Sequence, residues 1–280
     1  MAIHELKEAI QLLQRVPALW ISGLVNGILL ACIWLLYNVA GAFFTSRLIV
    51  IFGLICVFFV TGSIALIKTG SGGIMEILSG GTKYFFRVLL PFLVVIFILA
   101  LLVIIATITF TLGGAAPDTS DISFLLLAFG IPAAILALFL DSAAVFEDRK
   151  IFDSIRRSIE LVTTKFGNVL AFIVSMFAIT AGVSFLFMVV WEAALYDKLE
   201  PITHYTETQM QAFTMDQLVT LIGPSGVAIT AVILFCIALV LIPLLTTYKA
   251  CYFRSISAGA PSIQQQTTGE FDSKGRWYKY

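Results

Sequence analysis

The sequence predicts an all-α polytopic membrane protein, with six transmembrane helices arranged as three hairpins, each preceded by a cytoplasmic interfacial amphipathic helix. Three observations predict it. Hydrophobic residues make up 60% of the chain and charged residues 12%, with a mean hydropathy of +1.01; a soluble domain carries about 25% charged residues. Six apolar stretches, each long enough to cross a bilayer at ~20 residues per span, divide the 280 residues into seven polar pieces. Finally, 15 of the 17 Lys and Arg residues fall in the odd-numbered pieces. Cations beside a span are retained in the cytoplasm during insertion. The expected location is therefore the cell membrane, with both termini cytoplasmic.

The inner pieces hold Lys7, Arg15, Lys68, Lys83, Arg87, Arg149, Lys150, Arg156, Arg157, Lys165, Lys249, Arg254, Lys274, Arg276 and Lys279, whereas the outer ones hold Arg47 and Lys198. The inner cations face ten acids and the outer two face seven, so the formal net charge of zero hides a basic face and an acidic one. A basic face beside anionic headgroups gains ~1 kcal/mol per cation. That anchors the chain to membrane lipids and calls for no nucleic acid. Cys32, Cys56, Cys236 and Cys251 lie in or at the ends of apolar stretches, and no CxxC pair occurs. Neither a disulfide framework nor a zinc ribbon is expected. The charged start reads as no cleavable leader, so the first span is expected to act as its own signal anchor.

Residues 3 to 16 form the first expected interfacial helix, with Ile3, Leu6, Ile10 and Leu13 at helical spacing. Pro17 suits the first turn of a new helix. Span 1 runs from Ala18 to Phe44 and span 2 from Leu48 to Ile67, joined by Thr45, Ser46 and Arg47. Residues 68 to 73 form a Gly-rich joint. A weaker amphipathic stretch follows, in which Gly80 and Gly81 disfavour helix. Span 3 runs from Phe85 to Leu112, and span 4 from Ile122 to Phe146 after a turn-rich loop. Residues 148 to 165 form the strongest amphipathic helix. Ile151, Phe152, Ile155, Ile159, Val162 and Phe166 share one face, and Arg149, Asp153, Arg156, Arg157 and Glu160 the other. The pairs Asp153–Arg157 and Arg156–Glu160 stand four apart, which suits helical ion pairs. Span 5 runs from Val169 to Leu195. Span 6 runs from Leu218 to Phe253, and its length requires tilt, a kink at Pro243 or a break at Gly223-Pro224.

An interfacial helix followed by a hairpin thus recurs three times, over residues 3–67, 73–146 and 150–254. The junctions are alike: Thr82-Lys83-Tyr84 precedes span 3 and Thr164-Lys165-Phe166 precedes span 5. The membrane domain covers 1–256, and a polar cytoplasmic tail covers 257–280. Residues 145 to 166 carry Glu147, Arg156, Arg157, Ser158, Leu161, Val162, Lys165 and Phe166. This pattern resembles a segment of the uncharacterised archaeal six-span integral membrane proteins. It also resembles the membrane domain associated with glycerophosphoryl diester phosphodiesterases. The resemblance implies the six-span architecture and no activity. The phosphodiesterase domain that would carry such chemistry is not among these residues.

Asp141 is the sharpest candidate, because an ionisable group at membrane depth marks function by default. The alternative is a headgroup-level position, paired with Lys68, Arg87, Lys165 or Lys249, or capping the helix that follows. Arg156 and Arg157 either grip phosphate or form a solvated basic face. Glu192 beside Trp191 reads as interfacial. Asn26, Asn38 and Asn168 suit hydrogen bonds between helices, and Gly23 with Gly27 forms a GxxxG pattern for close helix contact. Pro91, Pro132 and Pro243 lie within spans as cavity-lining kinks or tolerated bends. His4 and His204 fall on opposite sides of the membrane. The acidic outer loop, 196 to 216, reads as a partner contact or a hydrated cap. No catalytic, cofactor-binding or metal-ligating motif emerges. The expected function is non-enzymatic: a membrane scaffold or partner subunit engaging lipids, other membrane proteins or a second copy of itself. The alternative is a transporter or channel for a small or lipidic solute.

Overall fold

The computed structural model describes residues 2–70, 72–112, 118–258, 269–271 and 277–279. Ten α-helices occur among them: α1 (Ala2–Arg15), α2 (Trp20–Thr69), α3 (Ile74–Leu112), α4 (Thr119–Leu136), α5 (Leu140–Phe146), α6 (Ile151–Thr164), α7 (Phe166–Ala194), α8 (Tyr196–Leu199), α9 (Glu207–Gln211) and α10 (Met215–Ser257). The three-residue strands β1 (Gly269–Phe271) and β2 (Trp277–Lys279) pair antiparallel in the tail. Five segments are long and apolar enough to cross a membrane: Pro17–Thr69, Ile74–Leu112, Ser120–Phe146, Phe166–Ala194 and Met215–Ser257.

The first of these segments is not a straight rod. A 50-residue helix would be ~75 Å long at 1.5 Å per residue. Yet Leu19, at its start, and Leu66 and Ile67, at its end, share one buried cluster with Ile77 and Ala250. The chain must turn back between them, and the non-helical residue is Gly41 (φ 75°, ψ 173°). Only glycine adopts that conformation without a large penalty. The reversal falls four residues before the expected Thr45-Ser46-Arg47 link, because backbone permissiveness outweighs the polarity of the link. Thr45 lies within the helix, its hydroxyl donating to the Gly41 carbonyl at 2.9 Å. α10 breaks the same way at Gly223 (φ 63°, ψ −176°).

The first leg of α2 runs antiparallel to α10. Gly23 sits against the Leu239 carbonyl and Pro243, an added Cβ at Gly27 would come within 2.8 Å of the Phe235 carbonyl, and Trp34 donates to the Val227 carbonyl at 3.0 Å. The GxxxG pattern is therefore used inside the chain. The second leg packs on α3, where Gly62 meets the Ile77 carbonyl and Gly80 meets Ala65. Gly80 and Gly81 thus serve close approach, and residues 74–84 continue into α3 without a separate interfacial helix. The expected fourth span is interrupted at Ala137–Phe139, between α4 and α5.

Burial is concentrated at one end of the helices. The three buried clusters draw on residues 9–19, 64–88, 139–172 and 248–256, at the helix ends that carry the basic residues. α5 is the hub: every residue from Leu140 to Val145 is buried. Around it, Phe172 stacks on Tyr252 with centroids 4.2 Å apart, and Phe139 stacks on the same ring. Farther along, Phe97, Phe177 and Phe185 are 68–74% exposed.

Two helices bury faces other than the apolar ones. α6 buries Ser154, Arg157, Ser158, Leu161 and Val162, and exposes Phe152 and Ile159. α1 buries Glu5, Ala9 and Leu13, and exposes Ile3 and Ile10. The expected apolar faces are thus turned partly outward, where a bilayer would receive them.

Candidate functional site

The densest constellation of ionisable groups surrounds α5 and the turn that follows it. Three adjacent features of the sequence build it: a short helix carrying Asp141, the Glu147-Asp148 pair, and the Arg156-Arg157-Ser158 run of α6. Asp141 is 5% exposed, and its carboxylate pairs with Lys249 of α10. Its other oxygen accepts from the Ser142 amide at 2.7 Å. Of the four cations that could have met Asp141, Lys249 is the one that does.

Asp148 adopts a left-handed conformation (φ 51°) just past the end of α5. Aspartate tolerates this position better than most side chains, since it can hydrogen-bond locally. There its carboxylate takes the Lys68 ammonium, the Tyr84 hydroxyl at 2.8 Å and Arg87 at 3.4 Å. Lys68 also donates to the Val145 carbonyl at 2.8 Å, so a cation meets the C-terminal end of α5. Partial desolvation works against the Asp148 charge. The hydrogen bonds from Lys68 and Tyr84 and the nearby cations prevail, and hold its carboxyl below the usual range.

Glu147 bridges Arg149 at 2.9 Å and Arg157 at 3.0 Å, and Arg157 also reaches Glu160 at 3.4 Å. The tandem arginines therefore part company: Arg157 is 4% exposed and locked, whereas Arg156 is exposed. Ser158 closes the break before α5. Its hydroxyl donates to the Leu136 carbonyl at 2.6 Å and accepts from the Phe139 amide at 3.1 Å. A buried break would otherwise leave polar backbone groups unpaired, at about 1–3 kcal/mol each. Lys165 donates to the Ile256 carbonyl at 2.7 Å, tying the start of α7 to the end of α10.

The remaining expected residues lie elsewhere. Asn26 and Asn38 each donate to a carbonyl one turn back in their own helix, Ser22 and Trp34, at 2.7 Å. Asn168, Glu192, His4 and His204 are exposed. Trp191 donates to the Thr230 hydroxyl at 2.9 Å, joining α7 to α10. At the opposite end Lys198 binds the Ile222 carbonyl and the Ser225 hydroxyl, capping the break at Gly223. The loop segment from Tyr205 to Leu221 lines a cavity of about 600 Å³. Among the described residues buried Glu5 leaves Oε2 without a partner, as does the Tyr252 hydroxyl. Among the described residues no three His, Cys, Asp or Glu side chains converge on a metal-sized site. Sequence reasoning missed Asp148 and Tyr84. The signal was two adjacent carboxylates at the end of a span, facing a Lys that ends one span and an Arg near the start of another.

Chemically, this layer neutralises buried charge and fixes helix ends. Long apolar helices locked by such a layer fit a multi-pass membrane protein. Comparison with known protein families, with characterised proteins and with solved structures gives no match.

Proposed function

We propose that the chain is a six-crossing protein of the cell membrane with both termini cytoplasmic. In this reading it is a non-enzymatic scaffold or partner subunit that engages lipid and other membrane proteins. The observation that carries this is the uneven burial. The basic end is closed by three clusters and a charge layer, while α3, α4 and α7 leave large apolar side chains such as Phe97, Leu127 and Phe177 uncovered by the chain itself. Such faces are available to acyl chains and to helices of other proteins. The reversal at Gly41 supports two crossings within residues 17–69. Kinship with the six-span archaeal and phosphodiesterase-associated group belongs to the same proposal. It rests on the residue pattern over 145–166.

Transport of a small or lipidic solute has less support, because Asp141, the residue that favoured it, is occupied by Lys249. The test uses photo-crosslinking side chains placed in the intact chain, in its own membrane, at Phe97, Phe177 and, as a buried control, Phe172. The reading expects discrete protein adducts, or a dimer, from the first two positions and none from the third. Lipid adducts alone at Phe97 and Phe177 would remove the scaffold reading. Reporter fusions at Arg47, Arg156 and Tyr280 check the topology: the last two must share a compartment that excludes the first.

A further inference from the structure

We infer that the seam between α3 and α6 is a binding site for a single anionic glycerophospholipid of the cytoplasmic leaflet. The inference deepens the lipid-engaging reading above and rests on it. A cleft of about 490 Å³ opens between the start of α6 and the second turn of span 3, lined by Phe86, Arg87, Leu90, Lys150, Phe152 and Asp153. It lies beside Asp148, in the charge layer, where headgroups would be. Arg87 lines the cleft, is 46% exposed and engages Asp148 through one guanidinium nitrogen, at 3.4 Å to the carboxylate. Lys150 is exposed and makes no ion pair among the described residues. The Asp148 charge is already met by Lys68 and Tyr84. The lip is therefore cationic, with Asp153 as its acid.

Below the lip the seam turns apolar. Phe86 and Phe152 are 64% and 72% exposed and flank the entrance. Deeper along α3, a second cavity of about 150 Å³ is lined by Val95, Leu99, Leu102, Ala133, Ala137 and Ile159. The small Ala133 and Ala137 leave this slot open between α3, α4 and α6. A cationic mouth at the water boundary, with an apolar slot beneath it, matches the charge and polarity of an anionic headgroup and its acyl chain. Basic pockets between membrane helices are known binders of such headgroups.

The experiment is native mass spectrometry of the intact chain in detergent, titrated with dioleoyl phosphatidylglycerol or dioleoyl phosphatidylcholine. Retention of one phosphatidylglycerol in preference to phosphatidylcholine is expected. Lys150→Gln and Arg87→Gln should each reduce that preference about fivefold, the equivalent of one surface cation. Ala133→Phe should displace the lipid without changing charge, and Lys7→Gln, an exposed cation outside the seam, should leave the preference intact. The Lys150 side chain makes no ion pair among the described residues, and its backbone contact to Ser154 survives substitution, so its variant tests the idea even if Arg87→Gln perturbs folding. Equal losses from Lys7→Gln and Lys150→Gln, or binding indifferent to Ala133→Phe, would overturn the site while leaving general lipid engagement standing. Displacement by millimolar inorganic phosphate would likewise overturn it, assigning the cleft to a free anion. Failure to retain any lipid, together with protein-free crosslinks at Phe97 and Phe177, would overturn the broader reading as well.

Discussion

Replacing Lys249 with Met would leave the Asp141 carboxylate buried and unpaired. The two side chains are 19% and 7% exposed, respectively. Removing one partner of a fully buried pair costs about 3–5 kcal/mol. Lys249 retains some access to water, and polar contacts in membrane proteins are often weaker than in soluble cores. A cost of about 2–4 kcal/mol is therefore expected for Lys249→Met. For a chain of this size that lowers the unfolding midpoint by roughly 4–12 °C. Asp141→Leu should cost a similar amount, since it strands the ammonium. The double variant should recover most of the loss, because an apolar pair of similar volume avoids the desolvation of both charges. By contrast, the Arg254–Glu8 pair is 54% and 38% exposed, and Glu8→Gln should cost less than ~1 kcal/mol. The assay is thermal unfolding in one detergent, followed by tryptophan fluorescence and by thiol labelling of Cys251, which is 1% exposed and two residues from Lys249. The reasoning is refuted if Lys249→Met is as mild as Glu8→Gln. It is also refuted if the double variant is as unstable as the two single losses combined.

Three further outcomes follow from the same geometry. Arg157→Ala should cost about 2–4 kcal/mol by taking the buried guanidinium from Glu160 and leaving Glu147 with Arg149 alone, whereas Arg156→Ala should stay within about 0.5 kcal/mol; equal effects in thermal unfolding would contradict the assigned split. Gly41→Ala and Gly223→Ala should each cost about 1–3 kcal/mol at their positive φ. Gly53→Ala, helical and in open space, should instead be neutral or stabilising by up to about 1 kcal/mol. The Asp148 carboxyl is held low in the folded chain, so its contribution is complete above the unfolded value, near 3.9, and is lost as pH falls through the lower folded value. Asp148 is half exposed, so the effect should be under ~1 kcal/mol. Midpoints measured between pH 6 and pH 3 should fall less steeply in Asp148→Asn than in the parent.

The pattern of successes and misses across particular residues has a common cause. The junction at Pro17 and the helical character of every apolar stretch were legible, because each depends on a local backbone rule; the break at Gly223 was one of three readings that the length of span 6 left open. The reversal in α2 was expected at the polar Thr45-Ser46-Arg47 and falls at Gly41, where conformational freedom rather than polarity decides. The apolar faces of α1 and α6 were legible, but which residues of each helix pack on the chain was not. In water the apolar face of a helix must find protein, but beside a bilayer acyl chains serve it equally well. Phe152 and Ile159 are left to that role, while the smaller Ser154 and Ser158 face the rest of the chain.

Sequence by itself determined the helical membrane class, the basic end and the approximate extent of each apolar segment. These are sums over single residues, of transfer free energy and of charge, and need no knowledge of neighbours. Only the tertiary structure decided that Asp141 meets Lys249 among four candidates, that Asp148 gathers Lys68, Tyr84 and Arg87, and that Arg157 is buried while Arg156 is not. Those are pairwise matters: an ion pair is settled by which helix ends converge, and the convergence at α5 is set by glycine contacts and breaks far away along the chain.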